Sequence, residues 1–314
     1  MKKVSILVPC YNEEEALPLF FNTLRRDVLD PLERKYEFEV IFVNDGSTDN
    51  TLLILQQMRL SDPRVNYIDL SRNFGKEIGM LAGMDFMSGD CLITLDADLQ
   101  EPPSVIPLML AEWEKGFDDV YGRRRDIHQS MWKKGTSKLY HRILTRLASV
   151  ELPERAGDFR LLDRRCVEAL RKMRETQRYT KGLYAWIGFN KAYVDYDVQP
   201  RAAGKTKWSF SDLFRLAVDG ITSHSLLPLR FASYVGLIVS AIAFLFLLWV
   251  VIKALIWGDE VAGYPSLMAV ILFLGGTVLL AIGIIGEYIG RIFMETKARP
   301  PYFVKSYNGE DTGS

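Results

Sequence analysis

CLITLDADLQEPP, residues 91 to 103, is the stretch that decides how this chain is read. An apolar run from Cys91 to Leu95 has the make-up of a buried strand, and it ends abruptly in Asp96, Ala97, Asp98 and Gln100. In extended backbone, alternate side chains share a face. If that geometry persists beyond Leu95, Asp96, Asp98 and Gln100 all project the same way. Three such oxygen donors suit a hard divalent cation, Mg2+ or Mn2+, which bridges carboxylates to phosphates. Pro102 and Pro103 then stop the strand. An isolated Asp-x-Asp pair is common in surface turns, so its weight here comes from the strand before it and from three similar loops elsewhere.

Those loops follow the runs VSILVP (4 to 9), FEVIFV (38 to 43) and VNYIDL (65 to 70), each trailed by a longer amphipathic stretch. The rhythm predicts an α/β domain, Rossmann-like, with a mainly parallel sheet covered by helices. Such sheets bind ligands at the carboxyl ends of their strands. There the chain places Tyr11-Asn12-Glu13, Asn44 to Asp49, Ser71 to Lys76 and Asp96 to Gln100, four polar loops predicted to converge on one site. Asp45, in VNDGSTD, either accepts hydrogen bonds from a base or ribose or belongs to an Asx turn, with a helix cap from Ser47, Thr48 or Asp49. Pro9-Cys10-Tyr11-Asn12 stands where a dehydrogenase or nucleotidyltransferase would carry a glycine-rich phosphate loop, which argues against both.

Charge is distributed unevenly. The 39 Lys and Arg balance the 39 Asp and Glu, a sum that by itself argues neither for nucleic acid nor against it; with the rest of the reading, no nucleic acid partner is expected. Charged residues recur as far as Arg230 but vanish from Phe231 to Ile252 and from Val261 to Gly286. The first gap makes a helix of roughly 33 Å, against a hydrocarbon core of about 30 Å. Two transmembrane helices are therefore expected, over 230–257 and 262–287. Arg215 and Arg230 precede them and Arg291, Lys297, Arg299 and Lys305 follow, so both flanks are expected on the cytosolic side. The segment 209–229 holds a predicted interfacial helix, with Phe210, Leu213, Phe214, Ala217 and Ile221 on one face. Residues 1–208 form the expected cytosolic domain, and 288–314 a cytosolic tail that frays after Tyr307. The apolar start is too short and too acidic at its end for a secretory signal. Cys10, Cys91 and Cys166 lack metal spacing and read as reduced thiols.

VPCYNEEE, VNDGSTD, LSRNFGKE and LDADLQEPP together resemble the family 2 inverting glycosyltransferases, in particular the polyprenyl-phosphate glycosyltransferases that include dolichyl-phosphate mannose synthase. GDFRLLDRR (157 to 165), AGKTKW (203 to 208), GITSHSLLPLR (220 to 230), GYPSL (263 to 267) and GEYIGRIFMETKARP (286 to 300) are similar to the bacterial bactoprenol glucosyltransferases, and the similarity runs almost the full length. The resemblance implies a nucleotide-sugar-binding domain of the GT-A type in a multi-pass protein of the bacterial inner membrane. It would transfer glucose from UDP-glucose, with inversion, to undecaprenyl phosphate for cell-surface polysaccharide modification. UDP-galactose, a UDP-N-acetylhexosamine and a 4-amino-arabinose donor stay open. It implies that Pro9, Tyr11, Glu13, Val43, Asp45, Asp96 and Ala97 hold the nucleotide and that Arg201 and Lys207 bind its phosphates. Asp96, Asp98 and Gln100 would hold Mg2+ or Mn2+, Asp158 and Asp98 would serve catalysis, and the assembly would be a homo-oligomer, a tetramer.

A lipid phosphate is already ionised near neutral pH, so the acceptor needs no strong base, and Asp158 either orients it or pairs with Arg160, Arg164 or Arg165. For the acceptor phosphate the resemblance offers Arg123, and Lys133 with Ser137, where relatives place a basic residue four before a serine. Arg124 and Arg125 read as solvated. Lys134, Lys138, Arg142 and Arg146 recur every four residues as a basic stripe, mildly unfavourable unless an anion such as a lipid headgroup faces it. A processive polysaccharide synthase would show a Gln-x-x-Arg-Trp motif and more spans. A catalytically silent membrane adaptor would not need the acidic cluster.

Overall fold

The four apolar runs become strands β1 (Lys2–Cys10), β2 (Tyr36–Asn44), β3 (Val65–Leu70) and β4 (Cys91–Thr94) in a computed structural model that describes residues 1–125, 156–176, 178–200 and 263–312, with scattered helical positions between 235 and 256. They lie side by side in the order β4-β1-β2-β3, all parallel. Val4, Ile6 and Val8 pack with Leu17, Phe20 and Leu24 of α1 (Leu17–Leu24), which runs on through a π turn at Arg25–Leu29. Leu7, Ile41 and Val43 face the opposite side. Helix α2 (Thr51–Ser61) joins β2 to β3, and α3 (Lys76–Phe86) leads from β3 to β4 and sets Met80 and Met84 against that opposite side. The period of two thus feeds two apolar layers, and each fully buried aliphatic side chain contributes about 1.5–3 kcal/mol. At Gly83 of α3 any Cβ would lie 2.0 Å from Leu7 Cδ1, so glycine sets how closely the helix meets the sheet.

Beyond β4 the sheet turns mixed. Strand β6 (Ala156–Asp163) pairs antiparallel with β4, and β5 (Asp119–Arg124) pairs antiparallel with β6 and parallel with β7 (Lys191–Tyr196). Helices α4 (Ile106–Glu114), α5 (Arg164–Arg171) and α6 (Thr180–Trp186) complete the described layers of this part. The chain builds β2 and β3 on one side of β1, then crosses to lay β4 on the other. The loops after β1 and β4 therefore diverge at a topological switch point, where open α/β sheets bind ligands. All three cysteines are free and buried, as reduced thiols should be.

The C-terminal tail corrects the sequence reading. Instead of fraying after Tyr307, it forms β8 (Val304–Tyr307) and β9 (Glu310–Asp311), and β8 adds antiparallel to the edge of β3. Asn308 (φ 52°) and Gly309 (φ 88°) make the two-residue turn, and Asn-Gly is the pair that such left-handed hairpin turns favour. Asn308 also accepts the Tyr67 N–H at 2.9 Å and donates to Asn66 at 2.9 Å. Residues Pro300–Ser314 accordingly belong to the same compact unit as Met1–Phe210.

Ser211–Arg299 form the second unit. Its α7 (Tyr264–Thr296) spans 33 residues, passing the expected end at 287. Within it Phe273–Thr296 is long and apolar enough to cross a membrane, and Ile282, Ile285, Ile289 and Phe293 stand exposed rather than packed in a core. It is the one such helix among the described residues. The first expected span, 230–257, is described only at scattered helical positions, and the expected interfacial helix at 209–229 lies outside the described residues.

Replacing Asn308 by Ala should lower the unfolding free energy of the β-sheet unit by about 1–2 kcal/mol, because two hydrogen bonds go and the Tyr67 N–H is left without its acceptor. Urea titration of the full chain checks this.

Candidate active site

At the carboxyl ends of β1 and β2 two loops lace together. Pro9 and Val43 are register partners there. Asn12 and Glu13 donate their N–H groups to Ser47 Oγ and Thr51 Oγ1, at 3.0 and 2.8 Å. Glu14 accepts from Asn50, and Asp49 accepts from Glu14 and Thr51. Tyr11 stays exposed at the rim. The polar run after β2 thus serves largely to hold the first loop, and of the three candidate caps it is Asp49 that takes the Thr51 N–H at the start of α2.

Asp45 holds the third loop. Its carboxylate is buried and accepts the N–H groups of Phe74 and Gly75 at 2.7 and 2.8 Å, while its own N–H reaches the Cys10 carbonyl. Burial raises its pKa, partly offset by those two backbone donors. Gly46 (φ 66°) lets the second and third loops touch, since a Cβ there would sit 2.5 Å from the backbone of Arg72 and Asn73. Gly75 (φ 93°) then starts α3, whose first residue is Lys76.

Lys76, a loop residue without an expected role in the sequence, stands at the centre of the site. Its Nζ lies 2.7 Å from Asp96 Oδ1, 2.8 Å from Asp96 Oδ2 and 3.2 Å from Asp158 Oδ2. Asp158 reaches Asp96 because β6 runs antiparallel to β4: Thr94 pairs with Arg160, so the start of β6 lies beside the end of β4. The Thr94 hydroxyl donates to the Asp158 carbonyl. Burial pushes the Asp158 carboxyl up, but the charges of Lys76, Lys181 and Arg160 and the Lys76 hydrogen bond together outweigh it and hold the group below its ordinary range. The Lys76 side chain is 39% exposed; its partial desolvation opposes the charge, and Asp96 and Asp158 prevail to raise its pKa. Asp158 Oδ1 is buried without a hydrogen-bond partner among the described residues. The alternative partners for Asp158 are engaged elsewhere: Arg160 pairs with buried Asp119 at 2.8 Å, Arg164 donates to the carbonyls of Ser88 and Gly89, and Arg165 pairs with Asp163 and Asp118.

The predicted metal cradle is not assembled as expected. Strand β4 ends at Thr94, before Asp96, and Leu99 takes a left-handed φ of 58°, so the alternation that would align Asp96, Asp98 and Gln100 is broken. Asp98 Oδ1 accepts the Gln100 N–H at 3.1 Å, an Asx turn that competes with extension. Ala97 is buried, and the Gln100 carbonyl accepts the N–H of Gln199 at 3.0 Å. Among the described residues no three Asp, Glu, His or Cys side chains gather as a metal set. The donors are of the right kind, hard oxygens, but an ammonium stands on Asp96.

Arg123 is engaged by its strand neighbours. Its guanidinium is held bidentately by Asp195 at 2.6 and 2.9 Å and stacks 3.7 Å over Tyr193, its neighbour on β7. Neighbouring residues of a strand point to opposite faces, and it is Arg124, read as solvated, that turns toward the site, 3.4 Å from Glu101. Glu101 is buried and was not singled out in the sequence. Burial and Asp96 push its carboxyl up to about 7, against the pull of Lys76 and Arg124. Arg201, Lys207, Lys133, Ser137 and the basic stripe of Lys134, Lys138, Arg142 and Arg146 lie outside the described residues.

A parallel α/β core with four laced polar loops and a carboxylate pair at its switch point defines a GT-A type domain. The chain belongs to glycosyl transferase family 2, whose pattern matches residues 5–171; a second pattern, described as the GtrB C-terminal hairpin, matches residues 227–292. It is 42% identical over 306 residues to the bactoprenol glucosyl transferase of Shigella phage SfX, covering 97% of this chain and 99% of that one. It is 41% identical over 304 residues to a prophage bactoprenol glucosyl transferase homolog of Escherichia coli, covering 96% and 98%. Among solved structures, glucosyl-3-phosphoglycerate synthase from Mycobacterium tuberculosis, in complex with Mn2+, UDP and phosphoglyceric acid, superposes with a TM-score of 0.50 at 16% identity, over 71% of this chain and 78% of that one, a likeness of fold.

Because the Glu101 pKa is raised on folding, the stability it confers is complete below about pH 4.5 and is lost as pH rises through 7. Glu101→Gln should therefore match the wild type near pH 4 and exceed it by about 1–3 kcal/mol at pH 8, measured by chemical denaturation at both pH values.

Proposed function

We propose that the chain transfers glucose from UDP-glucose to undecaprenyl phosphate, with inversion, at the cytosolic face of the bacterial inner membrane. The observation that carries this reading is identity of about 42% across nearly the whole length to proteins named bactoprenol glucosyl transferases, through both the catalytic part and the C-terminal hairpin pattern. The exposed apolar helix α7 supports a membrane-borne acceptor. Two cytosolic flanks, around two spans, agree with the basic residues that border them.

The chemistry follows from the charges in the site. A phosphate monoester is largely dianionic near neutral pH, its second pKa being about 6, so the acceptor oxygen is a nucleophile without deprotonation. What the protein must supply is alignment with the anomeric carbon and stabilisation of the departing diphosphate. Asp158, kept ionised by Lys76, is suited to orienting the acceptor or the sugar through its unpartnered Oδ1. Pro9, Tyr11, Glu13, Val43 and Asp45 line the strand ends where a nucleoside would lie. A divalent cation on Asp96, Asp98 and Gln100 would neutralise charge on the leaving diphosphate. Gathering those three requires Asp96 to part from Lys76.

Purified full-length protein should be offered undecaprenyl phosphate, Mg2+ and a panel of nucleotide sugars, with glycolipid read by mass spectrometry. A hexosyl-phosphate lipid from UDP-glucose, at a rate at least about tenfold above the other donors, is expected, the discrimination that one or two sugar hydrogen bonds supply. Preferred use of another donor would overturn the glucose assignment, and no product from any donor would overturn the transferase reading.

A further inference from the structure

Lys76 is rooted firmly. The two residues before it are clamped by Asp45, and it opens a helix packed on β1. An ammonium has three donor hydrogens, and its three close oxygens are both of Asp96 and one of Asp158. It thereby covers the two oxygens of Asp96 that a divalent ion would seek. Two carboxylates and one ammonium leave this cluster with a single net negative charge. A divalent ion alone must displace the ammonium from Asp96 with nothing to take its charge, whereas an ion arriving with a nucleotide diphosphate offers the ammonium new anionic oxygens.

Resting on the reading that a nucleotide sugar and a divalent cation bind here, we propose that Lys76 is a built-in counter-ion. It occupies Asp96 in the resting protein, competes with the metal for that carboxylate, and moves to a phosphate oxygen when the donor enters. Metal and nucleotide then bind as a coupled pair, and the site does not load with metal alone. Lys76 acts here as a positioning residue: no bond to it forms or breaks, and its contact with Asp158 persists.

The test is a titration of Mn2+ onto the full-length protein in detergent, followed by electron paramagnetic resonance, with and without saturating UDP. In the wild type, UDP should tighten Mn2+ binding at least about fivefold, the lower end of ordinary coupling between two sites. In Lys76→Met, Mn2+ alone should bind tighter by a similar factor, and the effect of UDP should fall by that factor, leaving the part due to direct contact between the ion and the diphosphate. Lys76→Gln, uncharged but still polar, should do the same, and the thermal transition of each variant reports its folding. Mn2+ binding to both variants no tighter than to wild type would overturn the proposal, as would independent binding of Mn2+ and UDP to the wild type. Absence of any Mn2+ binding to the wild type, even with UDP, would instead overturn the metal reading on which it rests.

Discussion

A single ammonium, that of Lys76, lies in contact with both Asp96 and Asp158, and the geometry of the site depends on it. Without a cation between them, two carboxylates brought together at the ends of β4 and β6 would repel, and the largely buried one would shift toward its neutral form. With it, Asp158 stays charged. The supports of Lys76 extend outward: Asp45 clamps Phe74 and Gly75, Gly46 admits the backbone of Arg72 and Asn73, and Ser71 donates its N–H to the Phe303 carbonyl at 3.0 Å. The loop that follows β3, the strand paired with the C-terminal hairpin, therefore ends at the charged centre of the site.

The fold was legible because its central strands are buried on both faces. Such strands must be continuous apolar runs, and the four runs at 4–9, 38–43, 65–70 and 91–95 match observed strands within a few residues. The converging loops followed from the parallel topology. Side-chain direction was harder to read. Which of Arg123 and Arg124 faces the site depends on strand register, which composition does not encode, and the extended geometry expected past Leu95 fails because an Asx turn at Asp98 and a left-handed Leu99 are local choices with similar energies. Lys76 and Glu101 were hidden for a related reason: their significance lies in contacts across the fold, with Asp158 and Arg124, far away in sequence.

The C-terminal tail carries a hairpin signal that its polar composition masks. Tyr307-Asn308-Gly309-Glu310 carries the Asn-Gly pair of a tight hairpin, but the polar residues around it suggest solvent exposure. An edge strand can be polar on one face and still add to a sheet, since backbone hydrogen bonds supply much of the pairing. Chain continuity gives the hairpin further meaning: residues Ser211–Arg299, with their exposed apolar helix, are bounded on both sides by segments of the catalytic unit.

The central claim is that Asp158 acts on bound substrates and does not merely brace the fold. The most direct measurement compares Asp158→Asn with the wild type for UDP binding by calorimetry and for glycolipid formation by mass spectrometry, in the same full-length preparation. UDP affinity within about threefold of wild type, with transfer lowered by roughly a hundredfold or more, is the predicted result, the scale on which losing a preorganised charged group affects turnover. Transfer at the wild-type rate would contradict the account, and so would equal loss of binding and transfer.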